Sequence, residues 1–163
     1  MSQNLLAESQ LQAAQLAFAI LQPPPERTAD LWSEQARRQL PPGSAEAGQI
    51  RVTRTPYVVP IARAHAIWGL RQITYVMARQ MAKTQGVIFA EIGRRLDDCP
   101  TPIMYVGTTE LFIRDKVEPK IVHLLQSTPS LNRKTSWGHG SSKYSKVVAG
   151  VRLKLAWAGS DSM

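Results

Sequence analysis

A run of β-branched, aromatic and apolar residues (Ile73, Thr74, Tyr75, Val76, Met77) passes directly into a short loop, a Lys-Thr pair and an amphipathic helix. Few folds accommodate that junction. A short run of this kind reads as a strand buried on both faces. The helix expected from about 83 to 96 repeats Ile88, Ile92 and Leu96, and Asp97, Asp98 and Pro100 close it. A second strand is expected at Ile103 to Val106, ending at Gly107. The next helix, Glu110 to Leu125, places Val117, Ile121, Leu124 and Leu125 on its buried side and has a kink at Pro119. Strand, helix, strand, helix in that order predicts an α/β fold with a parallel sheet and right-handed crossovers.

The polar stretch from Ser127 to Tyr144 reads as a loop, and Val151, Leu153, Leu155 and Trp157, alternating with Arg152, Lys154 and Ala156, read as an edge or half-exposed strand. About three strands make a smaller sheet than usual. The domain is therefore expected to be incomplete.

Ahead of this unit, Leu5, Leu11, Ala14, Phe18 and Leu21 fall at helical spacing before Pro23, Pro24 and Pro25 stop the helix. A second helix is expected from Thr28, a potential cap, to Gln39, with Pro41, Pro42 and Gly43 ending it and residues 41–56 running on as an extended arm. The expected division is a helical N-terminal arm and linker over 1–50 and the first part of an α/β domain over 51–163.

Charge follows the same boundary. Residues 1–50 carry three arginines against five acids, and 51–163 carry seventeen Lys and Arg against seven, so −2 gives way to +10. A basic domain draws polyanions and gains from counterion release, which points to nucleotide or nucleic acid. No apolar run is long enough to span a membrane and no basic cluster precedes one, so no membrane association and no export are expected. Cys99, the only cysteine, excludes an internal disulfide and a cysteine-based zinc cluster, consistent with the cytoplasm. His65, His123 and His139 are too scattered to suggest a metal site.

The chemistry concentrates in Ala78, Arg79, Gln80, Met81, Ala82, Lys83 and Thr84. Against the phosphate-loop pattern GxxxxGK[ST], Lys83 and Thr84 fill the last two positions, while Ala82 and Met77 stand where glycines would. Loop amides and a helix N-terminus between strand and helix can converge on phosphate oxygens. In that reading Lys83 neutralises the outer phosphates of ATP and the Thr84 hydroxyl coordinates Mg²⁺. If position 82 needs a positive φ, alanine adopts it at a cost of about 1 kcal/mol over glycine. The alternative is that Lys83 and Thr84 simply begin a helix.

The loop ARQMAKTQ resembles the variant phosphate loop of large terminases, in which the first glycine is usually missing; the missing second glycine is a departure. The upstream LWSEQARRQLPPGSAEAGQIRVTRTPY is similar in order and spacing to the arm of lambda-type phage terminase large subunits: Trp32, Arg37, Leu40, Pro41, Ser44, Ala45, Glu46, Gly48 and Arg54-Thr55-Pro56-Tyr57 carry the resemblance. Downstream, IGRRLDDCPTPIMYV and RDKVEPKIVHLLQSTPSL resemble the family's first helix, second strand and next helix, although the link from Gly107 to Phe112 is shorter than usual.

The resemblance spans roughly 28–163 and implies a RecA/ASCE-like P-loop NTPase sheet flanked by helices. It implies that Arg79, Gln80, Met81, Ala82, Lys83 and Thr84 bind ATP with Mg²⁺ at Thr84, that Arg79 is an in-cis arginine finger and that Tyr57 lies near the adenine. It further implies a motor that packages double-stranded viral DNA, with the small terminase subunit, the portal and procapsid and further copies of itself as partners in a bacterial cytoplasm. The second acidic strand motif needed for hydrolysis (Walker B) and the nuclease carboxylates are missing. The chain alone is expected to hydrolyse ATP poorly or not at all, as a fragment or a decayed prophage gene. A rival from another class is a basic nucleic-acid-binding module without nucleotide chemistry, built on Arg133, Lys134, Trp137, His139, Lys143, Tyr144 and Lys146.

Overall fold

The structure is a computed structural model that describes residues 27–44, 46–138 and 140–159. The helix expected over Leu5 to Leu21 lies outside the described residues, as do Ala45 and His139. Helix α1 (Ala29–Gln35) starts after Thr28 and ends at Gln35, because Arg37, at φ +53°, turns the chain off the helical path before the expected Gln39. Thr28 holds the N-cap position, but its hydroxyl makes no capping bond and is buried without a partner.

The stretch expected to be an extended arm folds instead. Strand β1 (Gln39–Leu40) pairs antiparallel with β2 (Gly48–Gln49), because Pro41, Pro42 and Gly43 turn the chain back between them. Two 3₁₀ turns (Val52–Arg54 and Pro56–Val58) lead into helix α2 (Val59–Ala64). Pro56 and Pro60 sit in first-turn positions, where the missing N–H costs nothing.

The strand expected at Ile73–Met77 is absent, and residues 70–78 have no regular structure and no sheet partner among the described residues. Ile73, Tyr75 and Met77 are half-buried, whereas Thr74 and Val76 are exposed, Val76 at 96%. The physical reason is that β-propensity records side chains suited to a pleated surface, while a strand exists only where neighbouring backbone accepts its hydrogen bonds.

A π-helical segment (Lys83–Ile88) runs into helix α3 (Phe89–Asp98), extending the expected helix slightly at its C-terminus. Strand β3 (Ile103–Gly107) follows as expected. Helix α4 (Glu110–Phe112), a π segment (Ile113–Val117) and α5 (Glu118–Ser127) form one continuous rod. The irregularity expected at Pro119 is thus taken up by the wide turns just before it, which accommodate a residue that cannot donate. Thr109 caps the rod, its Oγ1 accepting the Phe112 N–H at 3.2 Å.

The expected loop from Ser127 to Tyr144 contains helix α6 (Pro129–Lys134) and strand β4 (Thr135–Ser136). Strands β5 (Ser145–Val148) and β6 (Val151–Trp157) form a tight hairpin across Ala149 and Gly150, at φ +50° and +78°. The sheet order is β3-β6-β5-β4; β3 and β6 run parallel and the other pairs antiparallel. The sheet is therefore mixed, and β6 is interior rather than an edge, with Leu153, Leu155 and Ala156 buried.

Helices cover this sheet in one α/β unit. Trp32 of α1, Phe89 and Leu96 of α3, Leu125 of α5 and Leu153 and Leu155 of β6 belong to one core, so α1 of the arm shares its core with the rest. No helix among the described residues is long and apolar enough to cross a membrane.

Candidate functional site

A cleft of about 1280 Å³ has three walls. The loop Ala78 to Gln85 forms one, Pro41, Gly43 and Ser44 of the β1–β2 hairpin form another, and Pro119, Lys120 and His123 of α5 form the third. Arg79, Gln80, Met81, Ala82, Lys83 and Thr84, singled out from the sequence, thus share one concave surface.

Loop conformation explains how. Gln80 and Ala82 both adopt the left-handed region, at φ +62° and +51°, so the chain doubles back before Lys83. The Ala82 carbonyl then accepts the Gly86 N–H at 2.6 Å, and the Thr84 carbonyl accepts the Phe89 N–H. Ala82 stands where the phosphate-loop pattern has its second glycine, and the positive φ anticipated for that position is present. A Cβ there costs about 1 kcal/mol. Ala82→Gly should therefore raise stability by up to about 1 kcal/mol, less the extra freedom glycine gives the unfolded chain. A urea-unfolding midpoint below that of the wild type would show that the loop is unstrained.

Charge in the cleft is one-sided. Arg79, Lys83 and Lys120 line it, no carboxylate does, and none of the three takes part in an ion pair among the described residues. Uncompensated cations around a concavity concentrate positive potential inside it. The Thr84 hydroxyl is the only hydroxyl on the loop that could serve a hard cation, and no group of three His, Cys, Asp or Glu among the described residues could hold a metal alone. A divalent ion here would have to arrive with an anion that supplies most of its ligands.

Tyr57 stands apart. It is exposed on the Pro56–Val58 turn and does not line the cleft, while Arg54 pairs with Glu46 at 3.1 Å. Three contributors escaped sequence reasoning. Lys120 and His123 come from α5, far along the chain; His123 Nδ1 lies 3.4 Å from Ser127 Oγ. Arg38 sits behind the loop, 1% exposed, donating from Nη1 to the Gln85 carbonyl at 2.6 Å and from Nη2 to Gln85 Oε1. Burial without a carboxylate partner pushes its pKa down to about 9.

Other charged groups are spent on structure. Asp97, at the end of α3, accepts from Trp32 Nε1 at 2.9 Å, Ser130 Oγ at 2.7 Å and Lys134 Nζ at 2.6 Å. In the basic and aromatic stretch near the C-terminus, Trp137 donates to Asn132 at 3.0 Å, Tyr144 to Glu110 at 2.9 Å and Lys146 to Glu118 at 2.9 Å. Lys134, held by Asp97, is engaged in the same way.

Comparison with known proteins agrees with the resemblance in the sequence. No curated protein and no solved structure matches the chain. Residues 44–163, well over half of the chain, match the family model described as phage terminase large subunit gpA, ATPase domain. With its Lys-Thr loop and unpaired cations gathered at one cleft inside that matched range, the chain belongs to the phage terminase large subunit family, through its ATPase domain.

Proposed function

We propose that the cleft binds the triphosphate of Mg-ATP, and that the chain is the nucleotide-binding part of a motor that packages viral DNA into procapsids. The observation that carries this reading is the convergence of the Arg79–Thr84 loop with Lys120 on a cleft lined by no carboxylate. The residues fit a polyphosphate: three unpaired cations face a space large enough for a nucleotide, and an anion supplies the counter-charge they lack. The P-loop NTPase assignment of the mixed α/β fold belongs to this proposal.

In this reading Lys83 neutralises the outer phosphates and Arg79 approaches the γ-phosphate as an arginine finger in cis. The loop from Gln80 to Ala82 would hold the phosphates, and the Thr84 hydroxyl would contribute one ligand to Mg²⁺. The ion, when bound, neutralises charge on the phosphates. Tyr57 enters as an adenine contact by family resemblance alone, since its turn lies off the cleft wall. Double-stranded viral DNA, the small terminase subunit, the portal and procapsid and neighbouring copies of the chain are the partners this function needs.

Calorimetric titration of Mg-ATP tests the assignment. The wild type should bind saturably, and Lys83→Ala, removing a charge-assisted contact of about 1.5–3 kcal/mol, should weaken binding roughly 10- to 150-fold. No binding by the folded wild type, or equal binding by both, would sink it. The rival nucleic-acid module is less well supported, because Lys134, Trp137, Tyr144 and Lys146 are held by intramolecular partners.

A further inference from the structure

Arg38 links two walls of the cleft. Its backbone carbonyl accepts the Ile50 N–H at 2.9 Å, closing the hairpin that carries Pro41, Gly43 and Ser44 into the cleft. Its guanidinium grips both the carbonyl and the side-chain oxygen of Gln85, the residue after Thr84. One residue thus ties the hairpin wall to the phosphate-loop wall.

We infer that Arg38 is a positioning residue for nucleotide binding: it clamps the hairpin to Gln85 and so presets the loop that presents Lys83 and Thr84. The inference rests on the nucleotide reading above. Energetics distinguish the clamp from a simple packing role. The side chain is buried with no carboxylate, and its Nε has no hydrogen-bond partner. Burying a cation so poorly compensated costs stability, and an unbranched apolar side chain of similar length would fill the same space at lower cost. What the apolar side chain lacks is the planar fork that fixes Gln85 from two directions. Arg38 therefore trades fold stability for a loop held in its binding shape before ligand arrives.

The test pairs thermal melts with Mg-ATP titrations of the 163-residue chain. Arg38→Met should melt at or above the wild-type temperature yet bind Mg-ATP about tenfold more weakly. Arg38→Lys, which keeps the charge without the fork, should fall between them. A merely structural arginine would give the reverse, a lower melting temperature with affinity of the folded protein within about twofold of wild type. That result, obtained while Lys83→Ala has lost affinity, overturns the clamp and leaves nucleotide binding standing. If Lys83→Ala binds as well as wild type, the nucleotide reading itself fails and the clamp falls with it. Should Arg38→Met not fold, Gln85→Leu decides: removing the side-chain acceptor should weaken binding about threefold or more, and unchanged affinity overturns the proposal.

Discussion

Gly93→Ala is expected to lower the melting temperature by about 5–10 °C, although it replaces the poorest ordinary helix former with the best. Gly93 lies in the middle of α3, where propensity alone would favour alanine by about 1 kcal/mol. The Trp32 ring decides the sign. A Cβ on residue 93 would run into Cη2, Cζ3 and Cζ2 of the Trp32 ring, all nearer than non-bonded carbons approach. Trp32 is fully buried and its Nε1 is held by Asp97, so the ring cannot swing aside without losing that bond. Overpacking of this kind costs about 3 kcal/mol or more, which outweighs the propensity gain and leaves a net loss of about 2–3 kcal/mol. Gly43→Ala is the control, because a Cβ there meets nothing within 4 Å and the backbone has no positive φ. Circular-dichroism melts of the two variants give the comparison, and a Gly93→Ala melt coincident with wild type would mean that Trp32 is not seated against α3. Since α3 continues the segment that begins at Lys83, seating Trp32 also sets the direction in which the Ala78–Gln85 wall of the cleft leaves the core.

The parts of this structure legible in the sequence are those that local periodicity determines. Ile88, Ile92 and Leu96 mark α3 because a 3.6-residue repeat is complete within a few turns, and Leu153 and Leu155 mark β6 through simple alternation. Ile73 to Met77 carries an equally good strand pattern and is not a strand, since pairing depends on a distant neighbour that the pattern does not contain. The β5–β6 hairpin was hidden for the opposite reason: Ala149 takes a positive φ that its residue type does not advertise, leaving Gly150 as the only signal. The site divides along the same line. Arg79 to Thr84 are contiguous and could be recognised by spacing, whereas Lys120, His123 and Arg38 reach the cleft region through packing between elements tens of residues apart. Arg38 is the more instructive case, because an arginine in a helix-to-strand connection ordinarily reads as solvated, and only its burial identifies it.

Asp97→Ala is the second substitution expected to cost heavily, about 3 kcal/mol, and the reason lies in who loses a partner. The Asp97 side chain is 4% exposed, whereas Lys134 is 40% exposed, so solvent screens the ion pair and its share of the loss is small. Trp32 Nε1 and Ser130 Oγ are different, for without the carboxylate each loses its acceptor in a poorly hydrated environment, at about 1–3 kcal/mol apiece before relaxation. Burial raises the Asp97 pKa, but hydrogen bonds from Lys134, Trp32 and Ser130 outweigh it and hold the group below its ordinary 3.8. A carboxylate whose folded pKa is depressed stabilises the fold fully above its unfolded pKa, and loses that contribution as the pH falls through the folded value. Glu91 behaves alike: burial pushes it up, but bonds from Arg94 and Arg95 bring it below its ordinary 4.5. The wild-type urea midpoint should therefore be steady above about pH 5 and fall steeply below about pH 4. Asp97→Asn can still accept from Trp32 but no longer titrates, so it should start lower and fall less steeply. Parallel curves for wild type and Asp97→Asn would assign the acid sensitivity to other carboxylates, Glu91 among them, and reduce Asp97 to a hydrogen-bond acceptor. A steeper wild-type curve would instead identify the carboxylate that joins α1, α3 and α6 as the group whose protonation loosens the core of the fold.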